Sequence, residues 1–210
     1  AGIRSMIFDR QVLDPEHAAT LLEKAGSPAS ISDFKYQTVA LNVANSVFVD
    51  CTASEEVASV YLPLLEANVS VVTANKIASS SSYGHYRKLK TTAREKGVKF
   101  FFETNVGAGL PIIAPINDLV RSGDKIERLE AVLSGTLNFI VHTLSEDKPL
   151  SVVIQEAKDK GFSEPDPRVD LSGTDVVRKL LILARESGYP LEQEDVEVEP
   201  FVPAAYLNTP

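Results

Sequence analysis

The 210-residue sequence contains a single cysteine, Cys51, together with one methionine, three histidines and no tryptophan. One cysteine cannot form an internal disulfide, so the sequence favours a reducing compartment, and we expect a cytoplasmic protein. The three histidines are scattered at positions 17, 85 and 142. Because histidine ligands usually recur at short spacings, this scatter argues against a histidine-based catalytic metal site.

The chain also lacks an excess of positive charge and a long apolar run. Its formal net charge is −8 at pH 7, and nucleic acid or an anionic membrane surface repels a chain of that charge. Lys or Arg interrupts every apolar stretch before it reaches the roughly 18 to 20 residues that span a bilayer. With 44% hydrophobic and 24% charged residues, the composition is typical of a globular protein. We therefore expect neither nucleic acid nor a membrane as partner.

Apolar runs alternate with helical patterns between residues 47 and 103. The sequence predicts strands at residues 47–49, 69–73 and 98–103, with helices between them up to Asn68 and from about 79–82 to Gly97. This alternation is typical of a parallel α/β sheet. Ligands of such sheets bind outside the carboxyl ends of the strands, and polar residues follow each predicted strand end: Thr52, Asn75-Lys76 and Glu103-Thr104-Asn105.

The pattern changes after Asn105, so we predict that a second region begins there. A glycine-rich stretch at residues 107–111 leads into an apolar helix, and residues 126–133 predict another strand. Further helices are predicted at residues 137–144, from about 151 to 160, and from about 173 to 187, where Gly161 and Gly188 are good helix ends.

Residues 161–179 hold a dense set of charged side chains. Pro165 and Pro167 forbid a continuous helix across Glu164 to Arg168, so the sequence predicts a stiff loop there. Such a loop would hold Glu164 and Asp166 in defined directions.

Asp175 and Lys179 follow on one helix face, because they are four residues apart. Three interpretations of these charges stay open at this point. The pair is an exposed helix salt bridge worth about 0.3–0.5 kcal/mol. Alternatively, the lysine donates a proton to a developing alkoxide while carboxylates bind an amino-acid substrate. In the third interpretation, Glu164, Asp166 and Asp170 hold a divalent cation.

Several longer motifs occur in one order and spacing: Asp50-Cys51-Thr52-Ala53-Ser54, Thr73-Ala74-Asn75-Lys76, residues 103–111, residues 133–137, Gly161-Phe162-Ser163-Glu164-Pro165-Asp166-Pro167-Arg168, Asp170-Leu171-Ser172-Gly173, Asp175-Val176 and Arg178-Lys179. In this order they closely resemble the homoserine dehydrogenases, including the dehydrogenase part of bifunctional aspartate kinase/homoserine dehydrogenases. The resemblance covers about residues 47 to 203.

The resemblance implies an NAD(P)-dependent oxidoreductase that interconverts L-aspartate 4-semialdehyde and L-homoserine in threonine, methionine and isoleucine biosynthesis. It also implies an α/β fold: an incomplete Rossmann-like parallel sheet in residues 1–105 and an α+β substrate-binding and dimerisation domain in residues 106–210. A homodimer or higher homo-oligomer is expected.

The resemblance assigns roles to the charged residues of the predicted site. Lys179 resembles the proton donor to the substrate carbonyl, and Asp175 resembles a catalytic and substrate-binding carboxylate. Glu164 and Asp170 resemble further substrate-binding or orienting acids. Lys76 resembles a lysine that lies between cofactor and substrate.

The resemblance also implies binding sites for a dinucleotide and for a cation. Thr52 and Gly161 match positions that contact NADP or NAD. A monovalent cation such as sodium is expected at Glu103, Val106, Ala108 and Leu110, where the apolar residues would offer backbone carbonyl oxygens and Glu103 an anionic oxygen.

The family pattern begins with a strand and a Gly-x-Gly-x-x-Gly loop that cradles the pyrophosphate, and no such loop precedes Val47. From the resemblance we expect a chain truncated at both ends, with weak or absent NADP binding. Arg4 favours NADP over NAD. The alternative function is therefore an inactive fragment that serves as an assembly or regulatory module.

Overall fold

The computed structural model describes residues 2, 4–8, 14–163 and 167–202. It divides the chain into two compact units. The first, which we call the sheet unit, comprises Ala1–Val72 and Lys88–Phe101. The second, which we call the site unit, comprises Thr73–Arg87 and Phe102–Pro210.

In the described residues, five strands form two small sheets. Strands β1 (Ser5–Met6) and β2 (Ser27–Pro28) pair in antiparallel fashion. Strands β3 (Val47–Asp50), β4 (Ser70–Thr73) and β5 (Phe100–Phe101) form a three-stranded sheet in that order, and β4 and β5 are parallel. The predicted α/β class with a parallel sheet is therefore confirmed.

Eleven α-helices are found in the described part of the chain: α1 (Pro15–Ala25), α2 (Ile31–Leu41), α3 (Glu55–Ala58), α4 (Tyr61–Glu66), α5 (Ile77–Ser80), α6 (Tyr83–Glu95), α7 (Ile113–Arg121), α8 (Gly135–Thr143), α9 (Leu150–Asp159), α10 (Pro167–Leu171) and α11 (Thr174–Glu186). Two short 3₁₀ helices span Glu103–Asn105 and Gln193–Asp195. In these residues no helix is long and apolar enough to cross a membrane.

The sheet unit is built around a row of aromatic rings. Alternate residues of β3 are buried, which places Phe48 inside and leaves Val47 and Val49 outside. Phe48 lies 6.0 Å from Phe34 and 6.2 Å from Tyr61 between ring centroids, and Tyr61 lies 6.1 Å from Phe100. These separations are within the range of favourable tilted and edge-to-face aromatic pairs.

The site unit is helical in its described part, with α11 as its longest helix. Gly173 precedes α11 with φ of 77°, and Gly188 follows it with φ of 94°, a left-handed conformation that glycine adopts without a steric penalty. Leu181, Ile182 and Leu183 are buried. A second apolar cluster joins α8, α9 and α10 through the buried residues Ile140, Val153, Ala157 and Leu171.

The strand predicted at residues 126–133 is wrong. The segment forms no strand, and Val132 is 79% exposed. Its apolar, β-branched pattern is typical of a strand, but a strand also needs a hydrogen-bonding neighbour. No described residue pairs with this segment as a strand.

The stiff loop predicted for residues 164–168 is partly wrong. Residues 164–166 lie outside the described part of the chain, but Pro167 and Arg168 begin helix α10. Proline suits the first position of a helix, because its missing N–H would have no helical partner there. The prediction treated Pro167 only as a helix breaker.

Candidate active site

A cavity of about 360 Å³ lies wholly in the site unit. Its lining comes from the turn before α5, the start of α8, the residues that follow α9, and from α10 and the first half of α11. Ten residues line it: Lys76, Ser134, Gly135, Thr136, Gly161, Phe162, Ser163, Asp170, Asp175 and Lys179. Five residues of the predicted site are among them: Lys76, Gly161, Asp170, Asp175 and Lys179.

Two lysines flank one carboxylate in this cavity. Lys179 Nζ lies 2.6 Å from Asp175 Oδ2, one helical turn away on α11. Lys76 Nζ reaches the other oxygen of the same carboxylate, Oδ1, from the residue that precedes α5, at 3.3 Å. The three side chains are 15–25% exposed. The first interpretation, an exposed helix salt bridge, is therefore wrong, because this pair is largely buried and has a third member.

Charge in the cavity shifts the pKa of Asp175. Burial by itself would raise the pKa of this carboxyl, because it disfavours the charged form. The hydrogen bond from Lys179 and the positive charge of Lys76 outweigh burial and lower the pKa below its ordinary value of 3.8. Asp175 is therefore an anion at neutral pH, and it holds two ammonium groups beside the cavity.

Lys179 is also held by the backbone. Its Nζ donates a hydrogen bond of 2.8 Å to the carbonyl oxygen of Leu133. With bonds to Leu133 and Asp175, the ammonium group has two of its three hydrogens directed at protein acceptors.

Asp170 and Thr136 form another part of the lining. Asp170, on α10, is 7% exposed, and its Oδ1 lies 3.2 Å from the Thr136 hydroxyl. The same hydroxyl lies 2.5 Å from the carbonyl oxygen of Phe162. Thr136 therefore links helix α8 both to α10 and to the loop that precedes the undescribed residues 164–166.

Two glycines leave part of the cavity wall without side chains. Gly135 and Gly161 both line the cavity, and a Cβ atom at either position would meet no atom within 4 Å. Gly161 has φ of 71°, so a larger residue there would be strained. The backbone at these two positions is open to a flat ligand group.

The four residues predicted to bind a cation do not line this cavity. The two carboxylate oxygens of Glu103 accept hydrogen bonds from the backbone N–H groups of Ile112, Ile113 and Ala114, at 2.7, 2.8 and 2.9 Å. The carboxylate thus caps the N-terminus of α7, where negative charge is favourable.

The remaining members of the predicted cation set follow Glu103 in one loop. Val106 is buried and Leu110 is exposed. Ala108 has φ of 51°, which is unusual for a residue with a side chain. The N–H of Leu110 donates to the carbonyl of Gly107 and closes a tight turn.

Two further residues of the predicted site, Thr52 and Glu164, do not belong to the described part of the site unit. Thr52 belongs to the sheet unit. Its N–H donates to Asp50 Oδ1 at 2.7 Å, and the hydroxyl of Tyr61 donates to the other oxygen of Asp50. Glu164 lies outside the described residues, as does Asp166 of the divalent-cation interpretation. Within the described residues no group of three His, Cys, Asp or Glu is placed to hold a metal ion.

Several residues that line or support the cavity have no role predicted from the sequence. Ser134 and Thr136 belong to the motif at residues 133–137, and the place of this motif in the order of motifs is the signal that points to them. Asn105 and Arg185 support the site from inside the fold, and nothing in their local sequence indicates their partners.

Comparison with known proteins agrees with these motifs. A homoserine dehydrogenase family model matches residues 111–207, and a model of the homoserine dehydrogenase NAD binding domain matches residues 5–103. The bifunctional aspartokinase/homoserine dehydrogenase of Haemophilus influenzae is 45% identical over 99% of this chain. The chain spans only 26% of the length of that relative.

Two solved structures are similar to this chain. A crystal structure of a Candida auris protein of unknown function has a TM-score of 0.87 and 31% identity, covering 99% of this chain and 60% of the other. A hyperthermophilic archaeal homoserine dehydrogenase in complex with NADPH has a TM-score of 0.67 and 31% identity, covering 82% of this chain and 52% of the other. Homoserine dehydrogenase family models match both halves of this chain, and the Haemophilus influenzae relative is similar over nearly the whole of this chain. The chain therefore belongs to the homoserine dehydrogenase family.

Proposed function

We propose that the site unit carries the substrate half of a homoserine dehydrogenase site, with Lys179 as its acid and base. In the reducing direction, the C4 carbonyl carbon of L-aspartate 4-semialdehyde gains a hydride and its oxygen gains a proton from the Lys179 ammonium. The products are L-homoserine and a neutral Lys179 amine, and oxidation of L-homoserine reverses both transfers. The observation that carries this proposal is the fixed position of Lys179 between Asp175 and the Leu133 carbonyl, at the wall of the cavity.

The charges of the cavity suit an amino-acid substrate. Asp175 and Asp170 offer acceptors for an ammonium or hydroxyl group, and Lys76 offers a donor for a carboxylate or a carbonyl oxygen. We assign Asp175 the additional role of orienting Lys179. We propose Glu164 as a further substrate-binding acid, as the resemblance implies.

The open glycine wall supports a binding place for the nicotinamide cofactor. Gly161 and Gly135 allow a planar group to approach the backbone closely, and Lys76 lies at the same cavity. For Thr52 we propose the role that the resemblance implies, a contact with the dinucleotide. A related archaeal enzyme binds NADPH, which favours NADP over NAD for this chain as well. When bound, the cofactor supplies or accepts the hydride.

The loop at residues 103–110 offers the donor chemistry of a monovalent cation site. A carboxylate has about four lone-pair directions, and the three N–H bonds to Glu103 leave one of them. Backbone carbonyls of Val106, Ala108 and Leu110 would supply the other oxygens. We propose sodium as the cation.

Four further features are part of this proposal. They are a division into domains at residues 1–105 and 106–210, a homodimer or higher homo-oligomer, a cytoplasmic location, and a place in threonine, methionine and isoleucine biosynthesis. The alternative is a chain that contributes only to assembly or regulation and turns over no substrate.

The decisive experiment follows NADP reduction by L-homoserine spectrophotometrically, with the 210-residue chain and its Lys179→Ala variant. With NADP in large excess, to offset the weak cofactor binding expected from the sequence, we expect turnover by the unchanged chain and a loss of about 10²- to 10⁴-fold in kcat for the variant, the usual contribution of a positioned acid or base. Lys158→Ala is the matched control, because Lys158 is exposed on α9, away from the cavity lining. Absence of turnover in the unchanged chain would favour the assembly alternative, and normal turnover by Lys179→Ala would refute the role of Lys179.

A further inference from the structure

The backbone that carries Lys76 is a short, stiff segment inside the site unit. Thr73, Asn75 and Ser79 are buried. The N–H of Asn75 donates to the Thr73 hydroxyl at 2.8 Å, and the N–H of Ile77 donates to Asn75 Oδ1 at 3.0 Å. Helix α5 follows with only four residues. Because so short a helix is not stable by itself, contacts from elsewhere in the unit must fix the place of Lys76.

One side chain holds this segment on both sides of Lys76. Asn105 is 1% exposed. In the amide orientation that pairs every donor with an acceptor, its Nδ2 donates to the carbonyl oxygens of Thr73 and Ala74, both at 3.1 Å. Its Oδ1 then accepts from the hydroxyl of Ser79 at 3.3 Å. The first two contacts lie before Lys76 in the chain and the third lies after it.

A second anchor closes the segment at its far end. Arg185, whose side chain is fully buried, donates from Nη1 to the Ser79 carbonyl oxygen at 3.0 Å. Arg185 is on α11, the helix that carries Asp175 and Lys179. The backbone that carries Lys76 is therefore hydrogen-bonded both to Asn105 and to Arg185, and Arg185 is on the same helix as Asp175. These bonds restrict the distance between Lys76 and Asp175.

We propose that Asn105 is a positioning residue, which sets the place of Lys76 against Asp175 in the cavity by holding the backbone on both sides of that lysine. The effect of Asn105 on turnover rests on the function proposed above. Its effect on the Lys76–Asp175 ion pair does not depend on that function. A packing role alone would not require an amide, because an apolar side chain of the same size would fill the space and bond neither carbonyl.

The first test measures the pKa of the Asp175 carboxyl by ¹³C NMR titration of the 210-residue chain, with Asp175→Asn to assign the resonance. In Asn105→Ala we expect the pKa of Asp175 to rise toward its ordinary value, because Lys76 moves away. Asn117→Ala is the matched control. That amide, which bonds Glu186 and the Ile113 carbonyl at 2.5 and 2.9 Å, does not contact residues 73–79, so its loss should leave the pKa of Asp175 unchanged.

A double-mutant comparison separates positioning from general loosening. In a Lys76→Ala background the pKa of Asp175 is already raised, and adding Asn105→Ala should raise it no further. Ser79→Ala removes only the hydrogen bond between the Ser79 hydroxyl and Asn105 and keeps the bond from Arg185 to the Ser79 carbonyl. It should therefore raise the pKa of Asp175 less than Asn105→Ala does. This smaller change keeps the test available if Asn105→Ala prevents folding. An unchanged pKa in both Asn105→Ala and Ser79→Ala, or an equal rise with and without Lys76, would overturn the proposal.

The second test measures steady-state turnover of the same variants. A displaced Lys76 should lower kcat/KM about ten- to hundredfold in Asn105→Ala, with Asn117→Ala close to the unchanged chain. If the unchanged chain shows no turnover, the proposed function fails while the NMR result still decides the role of Asn105.

Discussion

The two units of the molecule bury different kinds of side chain. In the described part of the sheet unit, Asp50 is the one buried polar residue, and the interior is a row of aromatic and aliphatic groups. The site unit buries many more polar and charged side chains: Thr73, Asn75, Ser79, Asn105, Ser134, Thr136, Asp170, Arg185 and Glu186.

This difference explains how each unit fixes its geometry. Apolar packing is nondirectional, and it tolerates small shifts that conserve volume. A buried polar group must instead keep its hydrogen-bond partners, because losing one costs about 1–3 kcal/mol. Buried polar bonds therefore fix directions, and they are concentrated in the unit that contains the cavity and its charged lining.

The largest expected effect concerns Arg185. Its guanidinium group is fully buried and donates to the carbonyl oxygens of Ser79 and Leu191 and to the carboxylate of Glu192. Arg185→Met should lower the free energy of unfolding by about 3–5 kcal/mol, because it leaves the carbonyl oxygens of Ser79 and Leu191 without their donor, at about 1–3 kcal/mol each, and removes the ion pair with the partly exposed Glu192. Urea denaturation measures this loss. Arg128→Met, at an exposed ion pair with Glu130, should change the free energy of unfolding little. Equal losses in the two variants would contradict the view that buried polar bonds fix the site unit.

The next prediction compares one hydroxyl in each unit. Tyr61 donates to buried Asp50 in the sheet unit, and Tyr86 donates to buried Glu186 in the site unit. We expect Tyr61→Phe and Tyr86→Phe each to cost about 1–3 kcal/mol in urea denaturation. Similar values would show that the units differ in the number of buried polar bonds rather than in the strength of each. A negligible cost for Tyr86→Phe would contradict that view.

The third prediction concerns the acid dependence of stability. Because its pKa is lower when folded than the ordinary value of 3.8, Asp175 stabilises the fold above about pH 4 and loses this contribution as the pH falls through the folded pKa. Asp175→Asn should therefore destabilise the chain by about 1–2 kcal/mol at neutral pH. In thermal unfolding the difference from the unchanged chain should shrink as the pH approaches 2. A constant difference across this range would show that the ion pairs are not its source.

The smallest expected effect is at the cap of α7. Glu103→Gln keeps one acceptor oxygen but loses the negative charge at the helix N-terminus and at least one N–H bond. We expect a loss of about 1 kcal/mol. The control is Glu127→Gln at an exposed position outside the helices. If sodium stabilised the unchanged chain but not Glu103→Gln, the same experiment would support the proposed cation site.

Local sequence was sufficient for the elements that carry the site. Helix α11 was predicted to within about a residue at each end, because its apolar period and its flanking glycines are local signals. The Asp175–Lys179 pair followed from the same period. The three parallel strands were also placed near their observed positions, although the last is only Phe100–Phe101 because a 3₁₀ helix begins at Glu103.

The contacts that fix the site could not be predicted in the same way. Asn105 and Arg185 both reach Ser79, 26 and 106 residues away in the chain. No period or spacing encodes such pairs. The strand predicted at residues 126–133 failed for a related reason, since strand formation depends on a neighbour that local sequence does not specify.

The two hydrogen bonds of Lys179 have a consequence for the direction of proton transfer. A lysine ammonium has three N–H groups, and the amine that remains after deprotonation has two. In the proposed reaction, the two bonds to Asp175 and Leu133 match the two hydrogens that the amine keeps. The nitrogen would then stay in place, with its lone pair where the lost proton was, so that one orientation of the side chain serves both reduction and oxidation.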